Sequence, residues 1–195
     1  MKTYSPIFLL LFWLRIASAQ NTPQEATQFF LELEGKWELV QASVQMEPSP
    51  PLLDTSALIL HMICKIGEDS LSLHCSYNGS KNFGKDTIPS AGQELLVFEP
   101  NQAVVYKLGG IKNFSLNPSF NKSFVTVGKG VFLNDGSLKL TEFLAGVEGP
   151  TGEHIFLFQS PNLFKETARF YNEEGELLRF TEWDMKRVSE SMDKK

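Results

Sequence analysis

Cysteine and histidine are scarce in this chain of 195 residues, with two of the first and three of the second. Two cysteines exclude a small scaffold held by several bridges and every cysteine-rich zinc site. The histidines, His61, His74 and His154, give no His-Glu-x-x-His spacing. His61 and His74 are expected about 13 Å apart along paired strands, far beyond the reach of one metal ion, so no metal site is expected. No Gly-x-Ser-x-Gly elbow occurs. Gly79-Ser-Lys-Asn-Phe-Gly84-Lys85-Asp86 approaches a phosphate-cradling loop. Asp86 stands where a magnesium-binding hydroxyl is required, and Thr87-Ile88-Pro89 cannot open the helix that must follow; the stretch reads as a turn. No enzyme, no cofactor and no covalent chemistry is expected.

Long apolar runs are also missing. The run Ile7–Leu14 falls short of the ~20 residues that a helical span needs. It follows Lys2 and precedes Ala17-Ser18-Ala19, the order of a secretory signal peptide cleaved after Ala19. The expected organisation is a signal peptide over 1–19, one domain over 20–188 and a polar tail over 189–195. Loss of Lys2 and Arg15 with the leader takes the formal charge from −5 to −7, which disfavours nucleic acid and anionic membrane as partners. Export fits the sequons at Asn78, Asn113 and Asn121, each an expected surface glycosylation site. The expected location is extracellular.

Phenylalanine is abundant, at sixteen, and supplies a core. Thr22-Pro23-Gln24-Glu25 reads as a capping box, with Ala26, Phe29, Phe30 and Leu33 on one helical face and Gly35 as the stop. From Trp37 to Phe158 short runs rich in Val, Ile, Leu and Phe alternate with turn clusters. Strands are expected near 36–44, 57–66, 71–78, 94–99, 103–108, 122–132, 137–145 and 153–158. Asp135-Gly136 is a hairpin signal. Eight strands in hairpin succession form an antiparallel meander. Ser160-Pro161 then suggests a cap and first turn, and Leu163, Phe164, Thr167, Ala168, Phe170 and Tyr171 a helical stripe packed outside the sheet. A short strand over 177–184 follows.

One hairpin can be read in detail. If Cys64 faces Cys75, then Leu60, Met62, Cys64 and Ile66 share a face with Leu71, Leu73, Cys75 and Tyr77, because side chains alternate along a strand. That face is wholly apolar or aromatic, and His61, Lys65, Ser72 and His74 fall on the other. The disulfide and hydrophobic registers agree.

A meander buries its edges by closing into a barrel, and an open end needs a plug. Trp37, entering after Gly35, suits that role, with a long cationic side chain from near the C-terminus lying over its ring. Gly35-Lys36-Trp37 after a short helix resembles the lipocalin signature. The segments Ala26–Ser43 and Lys165–Val188, chiefly Phe170-Tyr171 and Thr181-Glu182-Trp183, are similar to the alpha-1-acid glycoprotein group. The resemblance implies a closed eight-stranded up-and-down barrel with a short N-terminal helix and a C-terminal helix outside. It also implies Lys186 or Arg187 as the cation over Trp37. The bridge that usually ties the C-terminal segment of a lipocalin to its barrel has no cysteines here; Cys64–Cys75 would act as a local staple instead. A rival within the same superfamily is the ten-stranded fatty-acid-binding barrel, which a strand at 167–172 would favour.

The barrel interior is the expected site. Leu60, Met62, Leu71, Leu73 and Tyr77 form one apolar face, which Tyr106, Phe124, Phe143 and Phe156 would join, and such a cavity suits a small hydrophobic or amphipathic ligand. The expected function is that of a secreted glycoprotein carrier. The alternative is an extracellular interaction module that meets a receptor or other protein through loops at 46–56 and 79–93.

Overall fold

The structure is a computed structural model that describes residues 22–46, 58–83, 86–113, 123–144 and 146–189. Helix α1 (Pro23–Leu33) starts as the sequence dictates. The Glu25 amide donates to Thr22 Oγ1 at 3.2 Å, and the Thr22 amide donates to Glu25 Oε2 at 2.7 Å. Ala26, Phe29, Phe30 and Leu33 are buried. Gly35, at φ +122, a conformation that side chains disfavour, turns the chain into the first strand.

Ten strands among the described residues close into one antiparallel barrel, each paired with its sequence neighbours and the last with the first. They are β1 (Gly35–Met46), β2 (Leu58–Ile66), β3 (Ser72–Phe83), β4 (Asp86–Glu99) and β5 (Val104–Asn113), then β6 (Ser123–Phe132), β7 (Leu138–Leu144), β8 (Gly152–Ser160), β9 (Leu163–Tyr171) and β10 (Leu177–Arg187). The closed meander stands as expected. The strand count of eight and the outer C-terminal helix do not.

The segment read as that helix is β9, paired with β8 on one side and β10 on the other. Its apolar residues satisfy a period of 3.6 and a period of 2 almost equally. Glu166, which helical reading sends to solvent, belongs to the inward row with Phe164, Ala168 and Phe170. The strand expected over 177–184 is longer and forms the closing wall, with Trp37 opposite Arg187 and Val44 opposite Thr181. β4 begins at Asp86 rather than near 94, so most of the stretch 79–93 offered as an interaction loop is ladder, with Gly79 opposite Ser90. Residues 47–57, which hold most of the other loop, lie outside the described residues. Ten strands and a strand at 167–171 agree with the rival barrel; α1 precedes β1.

The β2–β3 hairpin keeps the expected register, with Cys64 opposite Cys75 and Lys65 opposite His74, and the two cysteines are bonded. The core lies inside the barrel and under α1, where Leu73, Leu138, Leu140 and Val105 are fully buried.

Candidate functional site

One end of the barrel is stopped. α1 lies across it, and Phe29 packs at 5.4 Å from both the Phe132 and the Phe158 rings. Trp37 is 1% exposed, meets Phe164 edge-on at 4.8 Å, and donates its indole N–H to the Leu33 carbonyl at 2.8 Å. The cation over its ring is Arg187, 4.4 Å from the centroid. The Arg187 guanidinium also donates to the carbonyls of Glu32, Glu34 and Pro161. Five donors in a planar fork let one arginine stack on the indole and tie the helix end to the barrel. Lys186 is exposed on the outer face and takes no part.

Above the plug, Met62, Leu73, Phe156 and the disulfide face inward and are buried, and Leu60, Leu71 and Tyr77 pack against them. Two expected lumen residues point the other way. Tyr106 is 39% exposed and bonds Gln102. Phe143 alternates outward between buried Glu142 and the end of β7, opposite exposed Val127. Both strands are apolar on both faces, which removed the alternation that sets direction. The side chain of Phe124 lies outside the described residues. Of the sequons, Asn78 is exposed on β3; the Asn113 side chain and Asn121 lie outside the described residues.

The interior also holds a belt of polar side chains that runs around the wall from β3 to β9. The Tyr77 hydroxyl donates to Glu94. Lys107 Nζ stands 3.5 Å from Glu94 Oε1 and 2.9 Å from Glu142 Oε1. His154 Nε2 is 3.2 Å from Glu142 Oε2, and its Nδ1 is 2.8 Å from Glu166 Oε1. Glu94, Lys107, Glu142 and His154 are all buried. Sequence reading set Glu142 in a strand and His154 among lone histidines but joined neither to a second carboxylate. Partners that lie 12 to 35 residues apart become neighbours only once the register of six strands is known. The available signal was parity: Glu142 follows Leu138 and Leu140 on one face, and His154 precedes Phe156.

Electrostatics bind the belt together. Burial on its own would lower the His154 pKa, but hydrogen bonds to Glu142 and Glu166 outweigh it and raise the value to about 9. Burial likewise opposes the charge on Lys107; Glu94 and Glu142 overcome it and push the pKa upward. For Glu142, burial would raise the pKa, and the His154 hydrogen bond, the Lys107 charge and the Thr126 hydroxyl drive it below the usual carboxylate range. Burial and the Glu94 carboxylate raise the Tyr77 pKa well above its ordinary value, so the phenol keeps its proton. Every charged member therefore has an opposite partner, which a charge of this kind needs when removed from water.

Beyond the belt the inward row of β10 carries Thr181, Trp183 and Arg179. Arg179 lies over the Phe170 ring at 4.0 Å, and the His154 ring meets the same phenylalanine edge-on at 5.5 Å. An open cleft of about 450 Å³ lies at the rim between the β7–β8 and β9–β10 connections, lined by Leu144, Val147, Tyr171 and Leu178 among others. No group of acidic, histidine and cysteine side chains that could hold a metal ion occurs among the described residues.

No family model matches the sequence, and no curated protein matches it. The chain is similar in structure to the S-type phycobiliprotein lyase CPES of Guillardia theta, at 16% identity over 84% of this chain and 93% of that one, with a TM-score of 0.56. Two further solved structures align with 84% of this chain and 99% of theirs: EF1p2_mFAP2b bound to DFHBI, at 11% identity and a TM-score of 0.38, and a protein of unknown function from the DUF3598 family of Nostoc punctiforme, at 14% and 0.22. These two scores are too low to carry an argument. The first supports the fold, a closed antiparallel β-barrel.

Proposed function

We propose that this chain is an exported, glycosylated carrier that holds a small hydrophobic or amphipathic molecule inside its barrel, and that it performs no covalent chemistry. The observation that carries the reading is a barrel stoppered at one end by α1 and Trp37, with an inward face of Leu60, Met62, Leu73 and Phe156 leading up to a polar belt. Such a vessel offers apolar wall to a ligand body and a few polar groups to orient it. The leader ending at Ala19 and the three sequons support export. The likeness of Ala26–Ser43 and Lys165–Val188 to the alpha-1-acid glycoprotein group supports a lipocalin assignment. The belt is read as structural rather than catalytic because its members are bonded to one another.

The reading is tested by native mass spectrometry and organic extraction of the chain purified from its own secretions. A mature N-terminus at Gln20, glycan mass and a co-purifying lipophile are expected. A chain retained inside the cell, or one that carries nothing and binds no lipophilic probe, would remove it.

A second reading, an extracellular interaction module, draws on one observation. Leu95, Leu108 and Val127 stand side by side across β4, β5 and β6 on the outer face, at 37, 53 and 47% exposure. Single exposed apolar residues are ordinary; a row in register is less so.

A further inference from the structure

The rim cleft between the β7–β8 and β9–β10 connections has fixed walls, an apolar floor and acidic shoulders. Hydrogen bonds set the walls. On one side the Asn172 amide donates to the Glu176 carbonyl at 3.0 Å, and the Glu176 amide donates back to Asn172 Oδ1 at 2.7 Å. Gly175, at φ +80, completes that turn. On the other side the Thr151 amide donates to the Glu142 carbonyl at 2.8 Å, and the Val147 amide to the Leu144 carbonyl at 3.1 Å. The Tyr171 amide joins the two walls by donating to the Thr151 carbonyl at 3.1 Å. Leu144, Val147 and Leu178 supply the apolar floor. Leu178 is the extra residue of a bulge: Leu177 lies opposite Tyr171 and Arg179 opposite Phe170, so the register skips it. A bulge re-aims the side chain that it carries, and this leucine is left 43% exposed at the cleft.

The charge around the floor is of one sign. Residues 146–151 and 172–176 include Glu148, Glu173, Glu174 and Glu176 and no lysine, arginine or histidine. Glu176 is held by Asn172. Among the described residues Glu148, Glu173 and Glu174 have no ion-pair partner, and all three are exposed. We propose that this cleft docks a segment of another protein in which an apolar side chain is flanked on both sides by lysine or arginine. The apolar side chain fills the space of about 450 Å³ against Leu144, Val147 and Leu178. Its flanking cations meet Glu148 on one shoulder and Glu173 and Glu174 on the other. A cationic lipid, with one charge at one end, satisfies one shoulder and leaves the other bare. Walls formed in advance spare the complex the cost of ordering them, and the acidic shoulders steer a basic partner inward. The inference goes beyond the carrier reading and does not depend on it, since the cleft shares no residue with the inner wall of Leu60, Met62, Leu73 and Phe156.

The test is isothermal titration of the mature chain with end-capped peptides: Lys-Lys-Leu-Leu-Lys-Lys, its serine counterpart Lys-Lys-Ser-Ser-Lys-Lys, and the charge-reversed Glu-Glu-Leu-Leu-Glu-Glu. The first is expected to bind about tenfold more tightly than the second, the increment of one buried leucine, and the third not at all. Glu173→Gln combined with Glu174→Gln should weaken the first about three- to tenfold, as exposed ion pairs do. Leu178→Ser should erase the preference for leucine over serine. Equal binding of the leucine and serine peptides would mean attraction by charge alone and would overturn the inference. So would binding of the acidic peptide, tighter binding of dodecyltrimethylammonium at the cleft, a preference that survives Leu178→Ser, or no binding. A lipophilic probe held in the lumen is followed in the same titrations. Its displacement by the leucine peptide would place that peptide inside the barrel and also overturn the inference, while its retention keeps the carrier reading separate from the result. The peptide series on the unaltered chain decides the matter even where a variant fails to fold.

Discussion

Lys107 runs through a wall thinned to receive it. A Cβ on Gly128 would stand 3.1 Å from Lys107 Cβ and 3.1 Å from the Thr141 carbonyl, and one on Gly109 would stand 3.3 Å from Lys107 Cε. Small neighbours on β5 and β6 thus let a long side chain reach two carboxylates from the inner face. Lys107→Met leaves Glu94 without its cation and Glu142 with His154 alone. The expected loss is about 3–5 kcal/mol, the cost of a buried charge stripped of its partner, read from urea midpoints at pH 7. Adding Glu94→Gln to Lys107→Met should return much of it, because the uncompensated charge goes with the lysine. At the plug, Arg187→Lys gives up the fork that reaches three carbonyls and is expected to cost about 2 kcal/mol. Lys186→Ala, one residue away and exposed, should stay within about 0.5 kcal/mol of the parent. Thermal melts of the pair separate the two assignments that the family likeness left open.

At the scale of the element, the sequence was most legible where several signals coincide. In α1, cap, first-turn proline and apolar stripe agree. In the β2–β3 hairpin, the disulfide and the alternation each imply the same register, and the bond is local, with a separation of 11 residues. Closing so short a loop removes little freedom from the unfolded chain, so replacing both cysteines by alanine should cost about 3 kcal/mol and lower the melting temperature while the barrel still forms. β9 was misread because local signals conflicted. Ser160-Pro161 imitates a cap, and paired apolar residues serve either period. Only the inward placement of Glu166, bonded to His154 on β8, separates them, and that is a tertiary fact. β4 was cut short for a related reason: residues 86–93 hold one isoleucine and otherwise polar or small residues, yet lie between β3 and β5, whose ladders hold them extended.

The belt belongs to the molecule as a whole, since its groups come from β3, β4, β5, β7, β8 and β9 and exist as a belt only when the barrel is closed. Nothing in a single segment announces it, which is why the apolar wall could be read from the sequence and its polar course could not. Its linkage to pH follows from the shifts. His154 titrates near 9 in the folded chain and about 6.5 when unfolded. A raised value means that the folded state holds the proton more tightly. The stability this supplies is fully present below pH ~6.5 and is lost as pH climbs through about 9, an amount on the order of 3 kcal/mol. Glu142 acts at the other limb: its value is depressed in the fold, so its contribution is present above the ordinary carboxylate range and fades as pH falls below it. Urea unfolding across pH 5 to 10 should therefore show a plateau between about pH 5 and 6.5 and a decline from there to about pH 9. His154→Gln, which cannot carry the charge, should be less stable at pH 6 and approach the parent near pH 10. A parent whose midpoint does not move between pH 6.5 and 9.5 would mean that His154 is neutral in the fold, and that Glu142 and Glu166 are bridged without its charge.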